Sequence, residues 1–359
     1  MIYRSTSTHL KWTLGLLFAV AGLAISAQTA FAADDTWSTP PSKADGRIVF
    51  KTAMVVDEDE EPGEAGKAAA TALKQAMGDT ALKVVIVSEC FEDREYKEEM
   101  LEGIYSVLPK GIVVGASSYG AFTQQGCSDF DTVSLLGIGG KGISVAASLV
   151  TDMGVSKLLL EENEELVVKR LQTAGAKVAG KLRKTPKDRL MILIADAHSP
   201  KNQFLVEGAQ AAVGKKFPIT GGSANKNAGQ TFVYFGGTMH HDAAVALMLS
   251  GDFQVTLSGR QAKEQGAVIS TAKSGAAEAT ANLKAKPLAL LAYDCAGRRS
   301  KLTNLADELD AIQQVIGKDL PLFGSYCAGE IGPLDVSEKS ADVLSGGGGW
   351  HVMFTLIGK

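Results

Sequence analysis

One arrangement recurs three times along this 359-residue chain, and it limits the possible folds more than any other feature. In each copy a helix-friendly run leads to an apolar strand, a second helix pattern leads to a Gly-containing strand, and a further strand follows. The first copy runs from Glu64–Met77 through KVVIVSEC, REYKEEMLEGIYSVL and GIVVGASSYG to DTVSLLGIGG. The second has AKVAGKLRK, RLMILIADAH, FLVEGAQAAVG, FPITGGSANKN and TFVYFGG. The third has AAEATANLK, PLALLAYDCAGR, DELDAIQQVIG, LPLFGSYCAGEIGP and WHVMFTLIG. The acidic strand-end residues Glu89, Asp196 and Asp294 precede Gly115, Gly221 and Gly324 by 26, 25 and 30 positions. Residue identity between the copies is low, so the signal is the repeated order and spacing.

The strand runs are rich in Val, Ile and Leu, as strands buried on both faces require. Strand-helix-strand order implies parallel or mixed pairing, with helices on the sheet faces. Segments such as DAAVALMLSG add antiparallel strands. The expected fold class is therefore α/β (α+β mixed): mixed β-sheets flanked by helices, built from three related strand-helix-strand-strand units. Thirty-nine Gly with only 6% aromatic residues predict tight turns and helices packed through small residues.

The N-terminus reads differently. Arg4 and Lys11 precede a 16-residue apolar run, Trp12 to Ala27, and then the small-residue triplet Ala30-Phe31-Ala32. That order is the pattern of a secretory signal peptide, and the run is shorter than the ~20 residues of a spanning helix. Residues 1–32 are expected to be cleaved near Ala32, with no stable membrane insertion afterwards and a periplasmic or secreted location. Losing Arg4 and Lys11 moves the formal charge from −4 to −6. A mildly acidic chain with no Lys/Arg-rich run is a poor partner for nucleic acid or anionic lipid. Residues 33–46 read as a flexible lead-in.

All four cysteines (Cys90, Cys127, Cys295 and Cys327) follow that segment, and an exported chain can pair them. Cys90–Cys127 and Cys295–Cys327 are the favoured disulfides because each pair lies within one unit; burial as small apolar side chains is the alternative. The spacing fits no zinc or redox motif, and no metal or cofactor is expected.

In α/β sheets, ligands gather at the C-terminal ends of strands. Here those ends carry Glu89-Cys90, Ser117-Ser118, Asp196, Gly222-Ser223, Asp294-Cys295 and Tyr326-Cys327. Convergence of these residues points to a small-ligand pocket, although the Gly-Ser segments are equally at home in positive-φ turns.

Several of these segments resemble the FIST family. DCAGR (Asp294 to Arg298) is similar to the family's strand-end Cys-x-Gly-Arg, and GSYCAGEIGP (Gly324 to Pro333) to its Gly-Glu-Ile-Gly-Pro segment. GIVVGASSYGA and FPITGGSA resemble its N-terminal Gly-Ser turns. Ala121 and Lys226 depart from positions where the family commonly has acidic residues, and SGGGGWH replaces its Asn-x-Thr. The resemblance implies a FIST N-like domain over residues 47–253, holding two units, and a FIST C-like domain over 254–359, holding the third. It also implies a sensory module that binds small ligands such as amino acids, with no catalytic residue to carry over.

Arg298 is the leading ligand contact, because a guanidinium grips a carboxylate with two parallel hydrogen bonds. Glu330 could receive a ligand ammonium, or the two could form a structural ion pair. Asp196-x-His198 and His240-His241-Asp242 read as polar loops, and Asp57–Glu61 as the solvated start of a helix. The expected site is Cys295, Arg298, Tyr326 and Glu330, completed by Ser117, Ser118 and Ser223. The ligand would be amino-acid-like, with any signal passed to a separate protein. The competing readings are a hydrolase or thiol-dependent enzyme using Cys295 or Cys327, which would need a nearby base, and a cell-envelope interaction module.

Overall fold

The computed structural model describes residues 35–225, 230–335 and 341–359. The expected export segment lies outside them. A short edge strand, β1 (Thr36–Ser38), comes first. The first unit is β2 (Val49–Val56), α1 (Pro62–Met77), β3 (Leu82–Glu89), α2 (Arg94–Tyr105), β4 (Val113–Ser117), a hairpin of β5 (Ala121–Thr123) and β6 (Gly126–Ser128), and β7 (Thr132–Gly139). The second repeats the order: β8 (Ile143–Val150), α3 (Leu160–Gly180), β9 (Asp188–Ala195), α4 (Asn202–Val213), β10 (Ile219–Ser223), hairpin β11 (Val233–Phe235) and β12 (Thr238–His240), and β13 (Ala244–Gly251). The third has β14 (Gln254–Gln261), α5 (Gln265–Asn282), β15 (Pro287–Cys295), a short α6 (Ala296–Arg299), α7 (Ala306–Ile316), β16 (Leu322–Cys327), hairpin β17 (Glu330–Gly332) and β18 (Gly346–Gly348), and β19 (His351–Gly358).

The fold class is the mixed α/β architecture expected, with one strand more at the start of each unit and a hairpin inserted before its last strand. Each unit forms a mixed sheet around a parallel pair: β3 with β4, β9 with β10, and β15 with β16. The hairpins do not stay at home. β5–β6 of the first unit extend the third unit's sheet, β11–β12 of the second extend the first, and β17–β18 of the third extend the second. This cyclic exchange ties residues 33–359 into one compact unit.

The register shows why two of the spaced glycines recur, while the third, Gly324, makes room for the Phe122 ring. Gly115, Gly221 and Gly324 face Val87, Leu193 and Ala292 across the three parallel pairs. At Gly221, φ is +149° and a Cβ would sit 1.8 Å from the Leu193 carbonyl oxygen, so only glycine fits. Counting from these partners, Glu89 and Asp294 are equivalent, whereas Asp196 stands one residue beyond the equivalent Ala195.

The inward faces of all three sheets share one apolar core, which includes Ile86, Val114, Ile192, Leu247, Leu291 and Phe323. Helix pairs cover the outer faces with three further cores. Small residues let the paired helices touch: a Cβ at Gly66 would lie 2.1 Å from the Met100 carbonyl oxygen, and one at Gly208 2.1 Å from that of Gln172.

The expected flexible lead-in takes a different form. Thr36–Ser38 pair antiparallel with Ser148–Ala146 of β8, and Trp37 is half-buried against the central core. An unpaired sheet edge recruits whatever extended chain lies beside it, which composition alone does not reveal.

Candidate functional site

The C-terminal ends of β4, β10 and β16 meet where the three sheets join, and their turns are stitched in a ring. Tyr119 N–H donates to the Tyr326 carbonyl at 2.9 Å, and Ser223 N–H to that of Gly329 at 2.8 Å. Asn225 N–H closes the ring on the Ser117 carbonyl at 3.0 Å. Beneath this ring lies a small cavity of about 20 Å³, bordered by Ser88, Ser117, Gly222, Ser223, Tyr293, Ser325 and Cys327 among others. A space of that size holds a water-sized group.

The cavity wall is polar where the strands end. The hydroxyls of Ser88 and Ser325 share a hydrogen bond of 2.8 Å. Ser117 Oγ donates to the Asn225 carbonyl at 3.0 Å and accepts from Phe232 N–H at 3.0 Å. Ser223 Oγ donates to the Ala197 carbonyl at 2.6 Å. Gly222 leaves room for its neighbours, since a Cβ there would lie 2.3 Å from Cys327 Sγ. Tyr293 is 3% exposed and its hydroxyl has no hydrogen-bond partner. A buried polar group left unpaired costs about 1–3 kcal/mol, so this hydroxyl marks a place where a ligand atom would be favourable.

Of the residues expected at the site, Ser117 and Ser223 border the cavity. Ser118 is buried beside it and donates to the Glu89 carbonyl at 2.9 Å. Tyr326 faces the helix side, packing on Phe122 and donating from its hydroxyl to Glu308 Oε2 at 3.3 Å. Arg298 is fully buried and pairs with neither a ligand-accessible surface nor Glu330. Its Nε donates to Asp294 Oδ1 and its Nη2 to Glu308 Oε1, both at 2.8 Å, with Thr271 Oγ1 and the Val268 carbonyl taking further bonds. The expected Arg298–Glu330 pairing is thus replaced by an Asp294–Arg298–Glu308 cluster; α7 brings Glu308 to the guanidinium first. Burial pushes the carboxyls of Asp294 and Glu308 up, and Arg298 pulls both back.

Glu330 is fully buried at the start of β17. One carboxylate oxygen accepts His351 N–H at 3.0 Å, and the Cys295 thiol lies within interacting distance of the carboxyl. Burial raises its pKa well above the ordinary carboxylate range. Cys295 caps α6, its Sγ accepting Gly297 N–H at 3.3 Å. Burial, with Glu330 adding to it, pushes that thiol up to about 12. Cys327 is pushed well above its usual value for the same reason.

No disulfide joins the cysteines. Cys90 follows β3 of the first unit, whereas Cys127 lies on β6 in the third unit's sheet because the β5–β6 hairpin leaves its own unit. Cys295 and Cys327 are register partners on adjacent parallel strands, and Cys327 Sγ donates to the Ser325 carbonyl at 3.4 Å. The strand-end acids prove structural as well. Glu89 pairs with buried Lys97 at 3.2 Å and accepts the Tyr234 hydroxyl. Asp196 accepts Thr231 Oγ1 and Asp242 N–H, each at 2.8 Å.

Sequence reading missed Ser88, Tyr293 and Ser325. All three lie inside apolar strand runs, and the inward parity they share with Ile86, Leu291 and Phe323 was the available signal.

The fold is a mixed α/β module with internal threefold repetition, and a small cavity lies at the junction of its three sheets. Residues 81–274 match the FIST N domain and residues 233–333 the FIST C domain. The chain belongs to the FIST family, whose domains are in general sensory modules that bind small molecules. No curated protein matches its sequence. Among solved structures, a cyanuric acid hydrolase is similar at 11% identity and a TM-score of 0.43, with 87% of this chain and 99% of that one covered. A second, from A. caulinodans, gives 10%, 0.42 and the same coverage. PurLQS from Thermotoga maritima gives 8% and 0.31, with 88% and 73% covered.

Proposed function

We propose that this protein is an extracytoplasmic FIST-type sensor that takes a small polar ligand at the three-sheet junction without chemical change. The observation that carries this reading is the buried, unpartnered hydroxyl of Tyr293, a residue that lines the same cavity as the Ser88–Ser325 pair. Ordinary ligand pockets measure roughly 300–1,000 Å³, so the turns at 117–120, 223–225 and 326–330 must part to admit an amino-acid-sized molecule. Backbone hydrogen bonds join those turns to one another, and ligand atoms can replace such bonds.

With Arg298 committed to Asp294 and Glu308, the ligand's polar groups would be met by hydroxyls and freed turn amides. That favours an amino acid or a similar small polar molecule of low net charge. The raised thiols of Cys295 and Cys327 disfavour a thiolate nucleophile. Occupancy would be passed to a separate signalling protein through the parted turns.

The test is a thermal-shift screen of the purified protein against amino acids and small polar metabolites. A ligand that stabilises the native protein but not Tyr293→Phe supports the reading; identical stabilisation of both removes Tyr293 from the site. Cell fractionation tests the location, and recovery of uncleaved protein in the cytoplasm would contradict it.

A further inference from the structure

The opposite end of the molecule, where the central parallel strands begin, has a separate chemistry. Three connections reach it carrying positive charge: KLRKTPK at 181–187, GKK at 214–216 and LKAK at 283–286. The strongly acidic DEDEE at 57–61 lies at the other end, between the top of β2 and α1. Asp79, Asp188, Asp252 and Asp319 share that end, so the positive field is strongest beside KLRKTPK, where Arg183, Lys184 and Lys187 stand together.

Within this basic end is a cleft of about 490 Å³, some twenty-five times the volume of the junction cavity. Val145 and Ala146 of β8 lie beneath it with their side chains packed in the cores, and exposed Pro41 and Pro186 give it apolar sides. Arg183, Lys184 and Lys187 supply its charge, and no acidic residue lines it. Lys184 Nζ is held by the Ala212 carbonyl at 2.7 Å, while Arg183 and Lys187 take part in none of the ion pairs among the described residues. The walls are fixed. Thr39 exchanges two hydrogen bonds with Val145, its N–H donating at 2.8 Å and its hydroxyl accepting at 2.9 Å. Asp188 braces the basic loop from below, accepting Thr185 N–H at 3.0 Å and Ser250 Oγ at 2.6 Å.

We propose that this cleft binds a small organic anion consisting of one phosphate, sulfate or carboxylate head on a short apolar body. The proline sides and cationic rim match that amphipathic shape, and the size falls in the range of small-molecule sites. The site is independent of the junction, so the protein would read two ligands.

Titration calorimetry with hexyl phosphate, inorganic phosphate and hexanol tests the assignment. Hexyl phosphate should bind, inorganic phosphate at least about tenfold more weakly, and hexanol not at all. The double variant Arg183→Gln/Lys187→Gln changes only exposed side chains, and it should weaken hexyl phosphate by about tenfold or more. Lys67→Gln on α1 and Tyr293→Phe should leave it unchanged. No binding of hexyl phosphate, equal binding by the double variant, or equal affinity for inorganic phosphate would each overturn the proposal. Capture by phosphatidylglycerol vesicles without any response to hexyl phosphate would overturn it too, by making the anion part of a membrane surface.

Discussion

Ser88 and Ser325 stand 237 positions apart, yet their hydroxyls meet at 2.8 Å across two different sheets. The contact exists because the β5–β6 hairpin leaves the first unit to pair with β16 in the third. That exchange brings β3 and β16 against the same inner core and leaves Tyr293 facing the shared space.

Tyr293→Phe removes a buried hydroxyl that has no partner. In the absence of ligand the variant should be more stable than the native protein by about 1 kcal/mol. Urea denaturation measures this. A loss of stability would show that the hydroxyl is satisfied in solution.

Arg298→Met should have the opposite effect. It leaves Asp294 and Glu308 buried without their cation, and breaking a buried pair in this way costs about 3–5 kcal/mol. Adding Glu308→Gln should recover part of that loss, because one uncompensated carboxylate goes with it. Denaturation midpoints of the single and double variants decide the matter.

Glu330 gives the fold a pH dependence of definite sign. Its folded-state pKa lies well above the unfolded value because burial favours the neutral acid. The native state therefore holds this proton more tightly, so the associated stability is complete below the unfolded carboxyl pKa. It is lost as pH rises towards the folded one. Glu330→Gln should match the native protein near pH 4.5 and exceed it at pH 8, while keeping an acceptor for His351 N–H. Melting temperature against pH tests this; parallel curves would mean that Glu330 is ionised in the fold.

The cysteines make a chemical prediction. Burial holds Cys127 at about 11 and Cys295 at about 12, with Cys327 also raised. Iodoacetamide at pH 8 should label none of these three in the native protein and all four cysteines after unfolding. Reducing agent should leave the melting temperature unchanged. Rapid labelling of Cys295 or Cys327 would revive the thiol-enzyme reading.

The helices, the long strands, Gly115 and Gly221 were legible because each is specified within its own unit, whereas Gly324 makes room for Phe122 of the exchanged β5. Apolar runs fix the strands, and Gly221 is forced by the carbonyl of Leu193 directly across a local parallel pair. The hairpins left no comparable mark. β5, β11 and β17 are three residues long, too short for periodicity to appear. Ser117 and Ser223 could be found because they follow the recurring glycine by two positions. Tyr293, Ser88 and Ser325 carried only their inward parity as a signal, and parity alone does not say whether a polar residue meets core, water or ligand.

By itself, then, the sequence determined three α/β units, their order, and two of the serines at their junction, because those depend on short-range pattern and on strand-end position. Tertiary structure alone decided which sheet each hairpin joined. It also gave Arg298 to Glu308 in place of Glu330, kept the cysteines as thiols, and gathered three short basic loops at one end of a mildly acidic chain. Each of those outcomes rests on contacts between distant segments, whose energies depend on relative position in space and leave no periodic trace along the chain.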